Sequence, residues 1–292
     1  MKGTHMKLLR FKSDQAPRLG ILNGEVIVPL DSLARDYPTM LSIIAGGDVA
    51  LEQVKAATEA EPERIALNSV ELLSPLEKPG KYLAIGMNYA KHAEESRRLG
   101  VDKPQHQFWF NKQTTCLSGP YDPIDPGVSE MLDYEAELAV VIGKPAKRVS
   151  EADAPVHVFG YTVANDVSAR DWQGHSPSFT MGKSFDTHGP IGPWIVTADE
   201  IPNPHGLKLR CLVNGEIRQE SDTSQLIHNI WQQISYLSTA FTLEPGDLLA
   251  TGTPEGVGIA RNPPVFLKPG DVVRVEVEGI GVIENEVVEP VS

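Results

Sequence analysis

The segment Asp133-Tyr134-Glu135-Ala136-Glu137-Leu138-Ala139-Val140-Val141-Ile142-Gly143 constrains this chain more than any other. Its five consecutive apolar residues, several of them β-branched, read as a buried strand rather than a surface loop. In a strand, residues two apart point the same way, so Glu135 and Glu137 project side by side from one face. Two carboxylates that close repel each other. Their ionised forms are acceptable only with a cation between them or a raised pKa on one. The spacing alone is equally compatible with an exposed edge strand that carries two solvated glutamates.

The 292 residues fit one large domain, or a large domain plus a small one. Lys7 to Phe11 and Leu19 to Pro29 look strand-like, the second folding about Asn23-Gly24, and Leu51, Val54 and Ala57 mark one face of a helix. The acidic stretch Glu59 to Arg64, with Pro62 inside it, is the linker expected before a boundary near residue 75. Beyond it the signals are mostly strands. Val273, Val275 and Val277 alternate with charged residues, and Leu212-Val213-Asn214-Gly215-Glu216-Ile217 is a hairpin signature. One helix is expected between Asp222 and Pro245-Gly246, with Leu226, Ile230, Ile234, Leu237 and Phe241 on its apolar face. The fold class is α+β and β-rich: a small N-terminal α+β domain over 6–75 and a larger β-rich domain over 76–292. Residues 1–5, ahead of a second Met, read as a cloning remnant.

Composition excludes several functions. With 26 basic and 39 acidic side chains the net charge is −13, which argues against a nucleic-acid partner. The run Leu138 to Ile142 is far shorter than the roughly 20 residues of a membrane span, so no membrane role is expected. Cys116 and Cys211 give neither a disulfide framework nor a thiolate metal cage. They are expected to be packing residues in a cytoplasmic protein.

Asp166, at the end of the strand-like run Tyr161 to Asn165, supplies a third carboxylate. Three oxygen ligands without cysteine or a matched histidine suit a hard divalent ion, Mg²⁺ or Mn²⁺, better than zinc. Asp166, Arg170 and Gln173 are spaced i, i+4, i+7 and would share a face if a helix follows the strand; a helix cap with a routine ion pair is the other reading. His92 and Glu95, spaced i, i+3, form either a general-base dyad or a solvated helix face. Lys183, among small residues, is suited to a carboxylate or an enolate, unless it is simply solvated. The loop Thr251 to Gly258 offers N–H groups and the Thr253 hydroxyl to an anion. It lacks both the lysine of a phosphate-binding loop and the spacing of a dinucleotide fingerprint. His106, His157, His188, His205 and His228 receive no role.

In order and wording, five segments resemble the fumarylacetoacetate hydrolase family: Gly86-Met87-Asn88-Tyr89 with His92 and Glu95, Asp133 to Leu138, Asn165 to Asp171, Gly182 to Asp186, and Thr251 to Gly258. The resemblance covers about residues 78 to 290. It implies a mixed β-roll, a homodimer, Mg²⁺ or Mn²⁺ on Glu135, Glu137 and Asp166, and a mobile lid bearing His92 and Glu95. It is to the smaller microbial members, since Ile85 stands about where larger animal enzymes carry a further aspartate, whose place water would fill. The implied reaction is hydrolysis of a 2,4-diketo acid to pyruvate and a carboxylic acid. His92 and Glu95 would activate water, and the metal and Lys183 would stabilise the departing pyruvate enolate. Arg170, Gln173, Thr253 and Tyr89 would position this 2-keto acid substrate. A 2,4-diketo-3-deoxy sugar acid, fumarylpyruvate or maleylpyruvate is the expected kind of substrate. Oxaloacetate decarboxylation, a ureidoglycolate lyase activity, isomerisation and a non-catalytic metal-binding role are the alternatives. Phe108 to Lys112 and Trp172 to Phe179 are expected to line or flank the distal pocket. Trp172, His175 and Ser178 would make it polar there, unless they only pack the hinge of the lid.

Overall fold

The strand Ala136–Ile142 can be apolar without a break from Leu138 onward because it is covered on both faces. Leu138, Val140 and Ile142 enter one buried cluster while Ala139 and Val141 enter another. Such double burial removes the polar alternation of a half-exposed strand. The computed structural model describes residues 6–13, 16–102 and 104–290; the cloning remnant expected at 1–5 lies outside them.

The main sheet is mixed. Ten strands follow the order Ile65–Ala66, Val26–Pro29, Ala16–Asn23, Lys7–Ser13, Gly189–Thr197, Val158–Asn165, Ala136–Ile142, Leu248–Ala250, Tyr82–Gly86 and Phe108–Lys112. Leu248–Ala250 and Tyr82–Gly86 run parallel, and the other neighbours on this path are antiparallel. Strands from either side of residue 75 thus share one sheet, because Lys7–Ser13 pairs with Gly189–Thr197. A second sheet of Glu216–Asp222, Lys208–Val213, Val272–Val277 and Gly281–Glu286 covers one face of the first. There Val273, Val275 and Val277 are buried, as their alternation requires. The helix Met40–Ala60 covers the other face with Met40, Ile43 and Ile44. The chain is a β-rich α+β fold built as a mixed β-roll.

Turn chemistry sets the hairpin after Val213. Asn214 and Gly215 both have positive φ, at 52° and 80°, the conformation that such a two-residue turn demands. The helix expected from Asp222 onward is shorter than its apolar pattern. Asp222 caps a separate short turn by accepting the Ser224 N–H, while Asn229 and Gln232 form a capping box that starts the helix Ile230–Ala240. Ile230, Ile234 and Leu237 are buried, Leu226 lies ahead of the helix, and Phe241 is exposed beyond it. No helix among the described residues is long and apolar enough to cross a membrane.

One buried histidine should govern the acid response. His188 stacks on Phe185 with ring centroids 5.1 Å apart, and its Nε2 lies 3.0 Å from the Asp125 carbonyl. Burial, together with the Lys112 ammonium, holds its imidazole down to about 3 from 6.5. The unfolded chain therefore takes up a proton that the native state refuses. Its contribution to stability is full above about pH 6.5 and drains towards pH 3, by up to about 1.4 kcal/mol per pH unit. Urea midpoints should fall more steeply from about pH 6 to pH 4 in the parent than in His188→Gln. Equal slopes would remove His188 from this account.

Candidate metal centre and active site

Strand register assembles the carboxylates. Ala136 pairs with Asn165, so Glu135 and Glu137 flank the paired position while Asp166 follows directly beyond it. The Asp166 N–H donates to the Glu135 carbonyl at 2.9 Å, and the Asn165 side chain accepts the Glu135 N–H at 3.0 Å. One oxygen from each of Glu135, Glu137 and Asp166 lies within 4.8 Å of the others, and all three residues are buried. Burial rules out the exposed edge strand.

Their surroundings differ. Burial opposes the charge on Glu135, but Lys183 and Arg170, each at 2.8 Å, outweigh it and hold the carboxyl at about 2. Among the described residues no cation pairs directly with Glu137. Burial, then Asp166 and Glu135, push it well above the usual carboxylate range, against the Gly252 N–H at 2.7 Å and the more distant charge of Lys183. A buried all-oxygen trio with one carboxyl too crowded to ionise comfortably fits Mg²⁺ or Mn²⁺, which would relieve that repulsion.

Lys183 is buried, not solvated: its Nζ donates to Glu135 Oε2 and Asp166 Oδ2, both at 2.8 Å. Arg170 and Gln173 do not share a helix face with Asp166. The chain first pairs Ser168–Ala169 with Leu132–Asp133, and only then forms the short helix Arg170–Gln173. Arg170 nevertheless returns to the centre by tertiary packing. Its Nη1 donates to Gln173 at 3.0 Å and meets Glu135, its Nε donates to Asp133 at 2.9 Å, and its Nη2 has no partner among the described residues.

On the helix Ala90–Arg98, His92 Nδ1 lies 3.3 Å from Glu95 Oε2. Glu95 also accepts the Gly256 N–H at 3.0 Å. Both side chains are largely covered, so this is no solvated helix face. A cavity of about 410 Å³ brings His92, Glu95, Glu135, Arg170, Gln173 and Lys183 together with Thr253. Thr253 Oγ1 accepts a hydrogen bond from Gln219 at 2.8 Å. Glu137 and Asp166 are buried and do not themselves line it. Tyr89 is outside it, buried at the start of the helix.

The expected polar distal wall is not found. Trp172 packs its edge on Phe185 and lies beside His175, Ser178 bonds Ser176, and none of Trp172, His175 and Ser178 lines the cavity. Leu99, Val101, Phe110, Phe179, Val257 and Ile259 do. The tight turn after Gln173 directs Gly174 and Phe179 inward instead, with Phe179 edge-on to Phe108 at 5.0 Å.

Two braces escaped the sequence reading. Asp133 accepts the N–H groups of Gly258 at 2.7 Å and Ile259 at 3.0 Å while binding Arg170, so it ties the glycine loop to the centre. Lys112, expected to line or flank the distal pocket, does not line it and is buried against Asp166. Strand parity was its available signal, since Phe110 and Lys112 point the same way and Phe110 is plainly a core residue.

The family model described as Fumarylacetoacetate (FAA) hydrolase C-terminal matches residues 81–288, and that described as Rv2993c-like, N-terminal matches residues 6–75. The chain is 43% identical over 291 residues to a mitochondrial oxaloacetate tautomerase of Xenopus laevis, covering 97% of this chain and 90% of that protein. Maleylpyruvate hydrolase from Sphingobium sp. SYK-6, solved in complex with manganese(II) and pyruvate, is 32% identical with a TM-score of 0.83, covering 98% of this chain and all of that one. A 2-hydroxyhepta-2,4-diene-1,7-dioate isomerase from Mycobacterium marinum is 32% identical with a TM-score of 0.77, covering 97% and 98%.

Proposed function

The chain belongs to the fumarylacetoacetate hydrolase family of enzymes, and from that premise we propose that it interconverts the keto and enol forms of a 2-oxo acid of the oxaloacetate type. The observation that carries this reading is that one cavity holds a histidine–carboxylate pair and a buried ammonium beside the carboxylate trio. Mg²⁺ or Mn²⁺ held by Glu135, Glu137 and Asp166 would supply Lewis-acid stabilisation of charge on the keto oxygen. Glu95 beside Nδ1 favours the tautomer that leaves the other imidazole nitrogen of His92 free to take the proton from C3. The C3–H electron pair becomes the C2=C3 double bond as the carbonyl pair moves to the C2 oxygen, which gains a proton from the ammonium of Lys183, the lysine that lines the cavity. Arg170 and Gln173 bind the carboxylate end. The apolar wall limits water.

Hydrolysis of a 2,4-diketo acid to pyruvate and a carboxylic acid is the second reading. It is favoured by the size and apolar wall of the cavity, which suit a longer acyl tail than oxaloacetate has. On that reading His92 takes its proton from water instead. A sugar-derived tail loses its basis with the polar wall. In either case the working unit is taken to be a cytoplasmic homodimer, although the frog relative is named as mitochondrial.

One panel separates these. Loss of enol absorbance of oxaloacetate, with Mn²⁺ or chelator, is expected to be metal-dependent and faster than in buffer, with no pyruvate formed. Pyruvate plus an acid from acetylpyruvate or fumarylpyruvate would shift the assignment to hydrolysis, and pyruvate plus CO₂ from oxaloacetate to decarboxylation. Silence throughout would sink all three.

A further inference from the structure

Lys112 ends the strand Phe108–Lys112, and its side chain is wholly buried and outside the cavity lining. A buried ammonium is retained only where partners compensate its lost hydration. Among the described residues its two hydrogen-bond partners both belong to the site. Nζ donates to Asp166 Oδ1 at 2.5 Å and to the main-chain carbonyl of Lys183. The two oxygens of Asp166 are thereby divided: Oδ1 is held by Lys112 and Oδ2 faces Lys183 Nζ. Each carboxylate of the trio has its own brace. Gly252 N–H serves Glu137, and Arg170 serves Glu135. Lys112 differs because it grips a carboxylate and the backbone that carries Lys183 at once. That backbone has little slack, since a Cβ on Gly182 would stand 2.3 Å from the Gln173 nitrogen.

We propose that Lys112 is a positioning residue that sets Asp166 Oδ2 as a metal ligand and holds Lys183 in register with it. The proposal rests on reading Glu135, Glu137 and Asp166 as the metal site. Partners that orient a ligating group typically change metal affinity 10- to 100-fold when removed.

The test is a thermodynamic cycle on the full chain, with Mn²⁺ titrated calorimetrically into the parent, Lys112→Met, Asp166→Asn and the double variant. Lys112→Met is expected to raise the Mn²⁺ Kd about 10- to 100-fold. In the Asp166→Asn background the same change should cost less than about threefold, because its effect runs through Asp166. Lys112→Gln, which keeps a donor for Asp166, should recover part of the loss. Parent-like affinity in a folded Lys112→Met, or an equal cost in both backgrounds, overturns the proposal. Failure of both Lys112→Met and Lys112→Gln to fold also overturns it, by making Lys112 a requirement of the core. A parent that binds no Mn²⁺ removes the metal assignment itself, a result distinct from either.

Discussion

Glu137→Gln is expected to lower Mn²⁺ affinity and metal-dependent turnover by at least about 100-fold, beyond the usual effect of an outer brace, while leaving the metal-free chain as stable as the parent or more so. Glu137 is the carboxyl that burial and its two neighbours hold well above its ordinary range. Without metal, the native state therefore keeps a proton that the unfolded chain releases. Glu137 thus costs stability progressively as pH rises from about 4.5 through its raised folded value. An amide removes that cost and still offers an oxygen to Gly252 N–H. The same change deletes one of the three carboxylates proposed to hold the metal. Metal titrations and thermal unfolding with chelator should accordingly move in opposite senses. A variant that binds Mn²⁺ like the parent would end the assignment of Glu137. Glu135→Gln should also abolish metal-dependent turnover, but it strips Lys183 and Arg170 of a buried partner and should cost roughly 3–5 kcal/mol of stability as well.

His92→Ala is expected to reduce turnover by about 10²- to 10⁴-fold, the range for a positioned acid–base group, with Mn²⁺ affinity unchanged. The two effects separate because His92 lines the cavity while the carboxylate trio is braced by Lys112, Lys183, Arg170 and Gly252. Rate and calorimetry on one preparation decide it. Loss of Mn²⁺ binding in this variant would make His92 a ligand rather than a base, and an unchanged rate would take the proton transfer elsewhere.

The parts of the site that were legible in the chain are those set by local periodicity. Strand parity places Glu135 and Glu137 on one side, and helical spacing brings His92 to Glu95. Arg170 shows the limit of such reasoning. Its inferred helical relation to Asp166 is absent, yet it meets Glu135 because a strand bridge turns the chain back. Trp172 and His175 fail for the same reason. Their chemistry suits a pocket wall, but Trp172, on the short helix, packs against Phe185 and His175 packs against Trp172, while Phe179 takes the wall.

By itself, the sequence determined what depends on neighbours close along the chain: a strand through residues 138–142, the Asn214-Gly215 hairpin, the side-by-side placement of Glu135 and Glu137, and the spacing that lets His92 reach Glu95. Only the tertiary structure decided which distant groups meet those elements. Lys112 on Asp166, Asp133 on the loop at Gly258, and the apolar wall opposite the polar groups join residues 54, 125 and more positions apart. Burial is the physical reason. It is a property of the packed sheets rather than of any segment, and it turns an ordinary lysine or glutamate into one that must find a partner or a metal.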